Sequence, residues 1–339
     1  MLSKIWLISL FLLTACGVQI TPEPTEMPPV ESTAVTGPAS PEPASLTKIR
    51  LPMGYIPDPQ YAPFYVAVDR GYYAAAGLEL EFDYSFETDG VALVGANELP
   101  FAIVSGEQAI LARAQGVPVV YVLEWFQKFP IVIVSKASAN IATPQDLIGR
   151  TVGLPFFFGA SYVGYVGLLS ANGIAQDQVN ATEIGFTQIE SLLADQVEAV
   201  VGYANNEPVQ LQARGEAINV LYVSDYVNLV ANGIITNETT IAENPDLVQR
   251  FVDATLRGLA DTLADPVAAY EISKKYVDGL DDSRLNVLEA SLPLWQASTL
   301  GLVDAVAWEN TQQVLLDAKL LDTPLENLEA GFTNQFVNK

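Results

Sequence analysis

Along residues 48–236, short continuous apolar runs alternate with longer segments whose apolar residues recur at helical spacing. Runs at 49–54, 78–84, 101–104, 117–123 and 130–135 read as buried strands. Between them, 63–76, 89–98 and 105–116 carry the helical pattern. Pro63 suits a first helical turn, and Gly77 a stop. A second round follows. Thr143 and Pro144 open a short capped helix at 143–147, and strands are predicted at 151–154, 181–184, 199–203, 219–223 and 233–236. Helices are predicted at 163–171, with Ser161 as cap, and at 189–194. From Asn244 onward the pattern is helical only, over 245–264, 266–276, 284–295 and 308–318.

The βαβα alternation predicts a mostly parallel sheet covered on both faces. Two such rounds followed by a helical tail predict two lobes. The chain would cross between them at 129–137 and 230–237, and the tail would return over the first lobe.

One turn stands apart. Residues 154–165 leave a predicted strand and enter a predicted helix, the position at which open α/β sheets hold ligands. The stretch carries Phe156, Phe157, Phe158, Tyr162 and Tyr165 and no charge. Each ring alone also suits a packed core. Three consecutive phenylalanines in a turn, which normally runs over the surface, read as one wall of a pocket for a flat, uncharged ligand.

Composition narrows the chemistry. The chain has 339 residues, 16 basic against 40 acidic, for a net charge of −24. Such a balance argues against nucleic acid, which is held by Lys and Arg on phosphates, and against adhesion to an anionic membrane surface. There is no histidine, and Cys16 is the sole cysteine. His-containing triads, His-based metal sites and disulfides are thereby excluded. No catalytic residue, metal ligand or cofactor is expected.

The first 15 residues read as a signal peptide, with Lys4 before an apolar stretch at 5–13. Leu13-Thr14-Ala15-Cys16 resembles the bacterial lipobox, so Cys16 is the expected lipidation site. Residues 16–46 read as a tether, with seven prolines and no basic residue within 17–45. The expected location is the extracytoplasmic face of the cell membrane, through a lipid anchor.

Gly54 to Tyr73, with the Ala-Gly-Leu-Glu-Leu that follows, resembles the solute-binding proteins of the nitrate/sulfonate/taurine importer group. More closely it is similar to the branch related to thiamine-pyrimidine synthase. Matching features recur at Ser105-Gly106-Glu107-Gln108, at 141–153, and at Asn244-Pro245 with 251–258. The resemblance implies an α/β type II periplasmic-binding fold with two lobes, a hinge and a helical C-terminal tail. The lobes would be 47–132 with 237–339, and 133–236. It further implies a monomer whose partner is an ABC transporter permease. Enzymes of the branch consume a histidine of their own and use cysteines, so that activity cannot operate here. Other members are lipoproteins that bind a formylated aminopyrimidine or riboflavin. The lipobox, acidic balance and aromatic turn look most like the riboflavin binders. A thiamine-related pyrimidine is the alternative ligand, and an enzyme using carboxylates such as Glu107 and Glu207 a third reading.

Residues 51–235 hold six basic side chains: Arg70, Arg113, Lys128, Lys136, Arg150 and Arg214. None lies in a predicted strand exit, which disfavours an anionic ligand. The exits instead supply the rings of Tyr61, Trp125, Phe126, Phe156, Phe158, Tyr162 and Tyr203 for stacking. Glu107, Gln127, Ser161, Asn205, Asn206, Glu207 and Asp225 supply hydrogen-bonding groups for a hydroxylated chain or an amino group.

Overall fold

The computed structural model describes residues 46–337. The expected signal peptide, the expected lipidation site Cys16 and the expected tether up to residue 45 lie outside the described residues.

Ten strands form: β1 (Thr47–Gly54), β2 (Leu78–Phe86), β3 (Ala102–Ser105), β4 (Val119–Glu124), β5 (Ile131–Lys136), β6 (Thr151–Leu154), β7 (Asn180–Glu183), β8 (Ala199–Tyr203), β9 (Ile218–Tyr222) and β10 (Asn232–Asn237). They sort into a β1–β2 pair, a β3-β10-β4 sheet and a five-stranded β7-β6-β8-β5-β9 sheet. β1 and β2 are parallel, as are β6 with β7 and β8. By contrast β10 runs antiparallel to β3 and β4, and β5 antiparallel to β8 and β9. In place of the expected mostly parallel sheet there are two arrays. A parallel pair and an antiparallel three-stranded sheet together make the first, and a mixed five-stranded sheet the second; β10 and β5 are the reversed strands. The reversed strands are those by which the chain enters from the other lobe, with no crossover helix to turn them parallel. Their near-continuous apolar sequence fits central strands: β10 is buried throughout, and β5 up to Ser135.

The connections between the arrays are residues 125–130 and 223–231. The expected lobe limits at 132/133 and 236/237 fall inside β5 and β10, each of which lies wholly in the array it enters. We place the limits in the two connections instead.

Local chemistry sets the other boundaries. The single helix expected over 63–76 is two, Ala62–Asp69 and Tyr72–Ala75. Gly71, with φ +71°, turns the chain between them in the left-handed region. The helix Pro245–Ala264 is capped by Asn244, whose side chain accepts the Leu247 N–H at 3.3 Å. It buries Phe251 flat on Phe101, with ring centroids 4.0 Å apart. Gly258 lets it approach Ala62–Asp69: a Cβ there would sit 2.1 Å from the Pro63 carbonyl oxygen.

The tail does more than cover the first lobe. Ser291, on helix Leu285–Trp295, accepts Asn205 Nδ2 of the second lobe at 2.8 Å. Asp317, on helix Ala305–Asp317, accepts the Ser170 hydroxyl from helix Gly159–Ala171. The tail thus bonds to both lobes. Among the described residues no helix is long and apolar enough to cross a membrane.

Candidate functional site

A cleft opens between the two arrays where their strands end. From the first side come the β1 exit (Gly54, Tyr55, Asp58, Gln60, Tyr61), the β2 exit (Phe86, Glu87, Thr88) and the β4 exit (Trp125, Phe126), with Asn232 at the start of β10. From the second come the β6 exit (Pro155, Phe156 and Phe158 to Ser161), Phe186 and Gln188 after β7, and Tyr203 at the end of β8 with Asn205, Asn206 and Glu207 after it.

The walls are aromatic on both sides. On the first, Trp125 lies 5.5 Å from Tyr61 at 32° and 5.2 Å edge-on from Phe64. Tyr61 is anchored by its hydroxyl, which donates to the Met53 carbonyl at 2.7 Å. On the second, Phe156 and Phe158 stack at 5.0 Å, and Phe186 meets Phe156 edge-on at 5.2 Å. Tyr55 from the first side touches Phe186 from the second, centroids 5.6 Å apart. Phe158 and Phe186 are each 52 % exposed, so half of each ring is open to a ligand or solvent.

The polar lining is acidic. Asp58, Glu87 and Glu207 face the cleft, and among the described residues no Lys or Arg lines it. Asp58 is buried and accepts Arg284 Nη2 at 2.5 Å; burial still holds its pKa above the ordinary range. Glu207 is pushed up to about 7, chiefly by burial, despite accepting the Tyr203 N–H at 2.7 Å. Glu87 is pushed up to about 8 by burial and by the neighbouring Glu107. Ser105 Oγ lies 2.6 Å from Glu87 Oε2 and 2.5 Å from Glu107 Oε1. One hydroxyl proton cannot serve both carboxyls, so one of the two must carry a proton of its own. The cleft therefore offers carboxyls whose neutral form burial favours, and amides, beside aromatic faces, an environment for an uncharged or amino-bearing ring.

Of the residues expected from sequence, Tyr61, Trp125, Phe126, Phe156, Phe158, Ser161, Tyr203, Asn205, Asn206 and Glu207 line the cleft. Ser161 does so from inside the first turn of helix Gly159–Ala171. It is not the cap, because that helix starts two residues earlier, after Phe158. Four expected residues lie elsewhere. Glu107 is buried one layer behind, with Glu87 taking the cleft face. Gln127 turns its Nε2 onto the Glu124 carbonyl at 2.5 Å. Tyr162 faces away, its hydroxyl on Gln176 Oε1 at 3.1 Å and its ring against Phe157. Asp225 is solvent-facing, 3.9 Å from Lys128.

Sequence reasoning missed Tyr55, Asp58, Glu87, Phe186 and Asn232. Tyr55 and Asp58 stand in the β1 exit that carried the family resemblance and were legible there. Phe186 follows Gly185, whose φ of +60° makes the turn, so an aromatic after glycine was the available signal. Asn232 had none: it enters through the long-range pairing of β10.

The sequence profile of the NMT1/THI5-like family matches residues 58–269. The chain is 42% identical to the riboflavin-binding protein RibY of Chloroflexus aurantiacus, over 98% of this chain and 96% of that one. It is 28% identical to the formylaminopyrimidine-binding protein of Halalkalibacterium halodurans, over 74% of each. Among solved structures, the periplasmic aliphatic sulphonate-binding protein SsuA of Escherichia coli superposes with a TM-score of 0.71 at 15% identity, over 86% of this chain and 93% of that one. That likeness establishes the periplasmic-binding fold.

Proposed function

The chain belongs to the NMT1/THI5-like family, and we propose that it is an extracytoplasmic solute-binding lipoprotein that captures riboflavin in its cleft. It then presents the ligand to the permease of an ABC importer. The observation that carries this reading is a cleft with rings on both walls and acids but no base among its described lining. A tricyclic neutral ring gains stacking from both walls. A phosphate or sulfonate would find no cation in the described lining, because Arg284 is not part of it and is already paired with Asp58. Identity of 42% across nearly the whole length of a riboflavin-binding relative supports the same ligand class. The protein binds its solute and does not convert it: the synthase branch's histidine and cysteine chemistry has no residues here beyond Cys16.

A second reading, a thiamine-related pyrimidine, is favoured by one feature: the buried carboxyls Glu87 and Glu207 suit an exocyclic amino group. Titration calorimetry with riboflavin and with formylaminopyrimidine separates the two. Stoichiometric heat from riboflavin, and none from the pyrimidine, is expected. Heat from the pyrimidine alone transfers the function to the second reading. Recovery of either ligand chemically altered would make the protein an enzyme.

A further inference from the structure

Two cleft-lining residues end in polar atoms that are buried with no partner: Trp125 Nε1 and Asn205 Oδ1. The residues are 2% and 1% exposed. Neither atom can turn to solvent. Trp125 is packed among Tyr61, Phe64, Phe126 and Trp295, all within 6 Å centroid to centroid. Asn205 is oriented by a count of protons. Ser291 Oγ gives its only proton to the Val287 carbonyl at 2.7 Å, so toward Asn205, 2.8 Å away, it acts as an acceptor. The Asn205 amide must therefore point its NH2 at Ser291 and leave Oδ1 toward the unpaired side.

A fixed donor and a fixed acceptor, both desolvated and both unpaired, are costly in an empty cleft and favourable once a ligand pairs them. A flavin's imide edge carries carbonyls and an N–H side by side in one plane, whereas Trp125 and Asn205 come from opposite sides of the cleft. Hydroxyl groups satisfy both kinds, because each donates and accepts. We propose that Trp125 Nε1 and Asn205 Oδ1 form a subsite for the hydroxylated chain of the ligand, so that the protein selects an aromatic ring bearing a polyol over the bare ring. This rests on the riboflavin reading and assigns its chain recognition to two residues. Phe156 and Phe158, which carry no polar atoms, are left with one face of the tricycle, and Tyr55 and Tyr61 of the first side with the other.

The test compares riboflavin with lumiflavin, which keeps the tricycle and replaces the ribityl chain by a methyl group. Wild-type protein is expected to prefer riboflavin by roughly 5- to 150-fold, the range for one or more unpaired buried groups. Trp125→Phe keeps a ring and removes the N–H; Asn205→Ala removes the acceptor. Each should shrink the riboflavin-to-lumiflavin preference by at least fivefold. Circular dichroism and thermal melting confirm folding, and the wild-type comparison needs no variant. Equal affinity of wild type for both flavins overturns the subsite while leaving the riboflavin reading standing. So does an equal loss for both ligands in Trp125→Phe, which would assign the residue to packing alone. Absence of any flavin binding, with formylaminopyrimidine bound, overturns both.

Discussion

Glu207 gives the sharpest handle on the electrostatics of the cleft. Its side chain is buried and accepts the Tyr203 N–H at 2.7 Å and Asn206 Nδ2 at 3.2 Å. Burial outweighs these bonds and raises its pKa from 4.5 to about 7, with the charge of Asp58 adding to the rise. At ~1.4 kcal/mol per pKa unit, this shift is worth about 3 kcal/mol. A raised carboxyl pKa means that the folded chain keeps a proton the unfolded chain has already lost. Glu207 therefore lowers stability progressively as pH rises from about 4.5 to about 7, and by a constant amount above that. Glu207→Gln removes the titration and keeps the shape. The new amide carbonyl can accept the Tyr203 N–H, but the new NH2 faces Asn206 Nδ2, a second donor, at a cost of about 1 kcal/mol. Urea unfolding of ligand-free protein, followed by tryptophan fluorescence, should find the variant about 1 kcal/mol less stable than wild type at pH 4.5. At pH 8 it should be about 2 kcal/mol more stable, a net of the two effects. Buried acids remote from Glu207 titrate alike in both proteins, and the coupling to Asp58, a smaller cause than burial, enters as part of the Glu207 effect. A difference that stays within about 1 kcal/mol across the range refutes the assignment of a strongly raised pKa.

Phe158→Ala should raise the dissociation constant for riboflavin roughly five- to 150-fold by removing one stacking face, taking base-on-aromatic stacking of ~1–3 kcal/mol as guide; a change below twofold in calorimetry would remove that ring from the site. Arg284→Met leaves Asp58 buried without its partner and should cost about 3–5 kcal/mol at pH 8. Because protonated Asp58 needs no counter-ion, the deficit should narrow toward pH 4, and melting curves at the two pH values would show otherwise if the pair were idle. Cys16→Ser should release the protein from membranes without altering ligand affinity; retention after carbonate washing would contradict the lipid anchor.

The regular elements were legible because their periods were strong: helix Pro245–Ala264 matches its sequence boundaries to the residue. Strand direction was not legible. Parallel pairing was inferred from βαβα alternation, yet β5 and β10 follow connections that carry no crossover helix, and their sequences resemble those of any buried strand. The aromatic wall was readable because loops rarely carry three phenylalanines, and two of the three, Phe156 and Phe158, line the cleft. Which polar residue faces inward depends on where a helix starts. Helix Gly159–Ala171 begins earlier than its apolar pattern suggests, and this turns Ser161 to the cleft and Tyr162 away. Glu107 and Glu87 trade places for a tertiary reason: Ser105 brings them within one hydroxyl of each other, and only the pairing of distant strands decides which faces the ligand.

The central claim is that two aromatic walls hold a flavin ring. Riboflavin fluorescence, titrated with ligand-free protein at neutral pH, tests it most directly, because a Trp or Tyr stacked on the ring quenches its emission by electron transfer. The account predicts strong quenching that saturates at one riboflavin per protein. Emission left unchanged at tens of micromolar protein, while a thiamine-related pyrimidine binds the same sample, would contradict it.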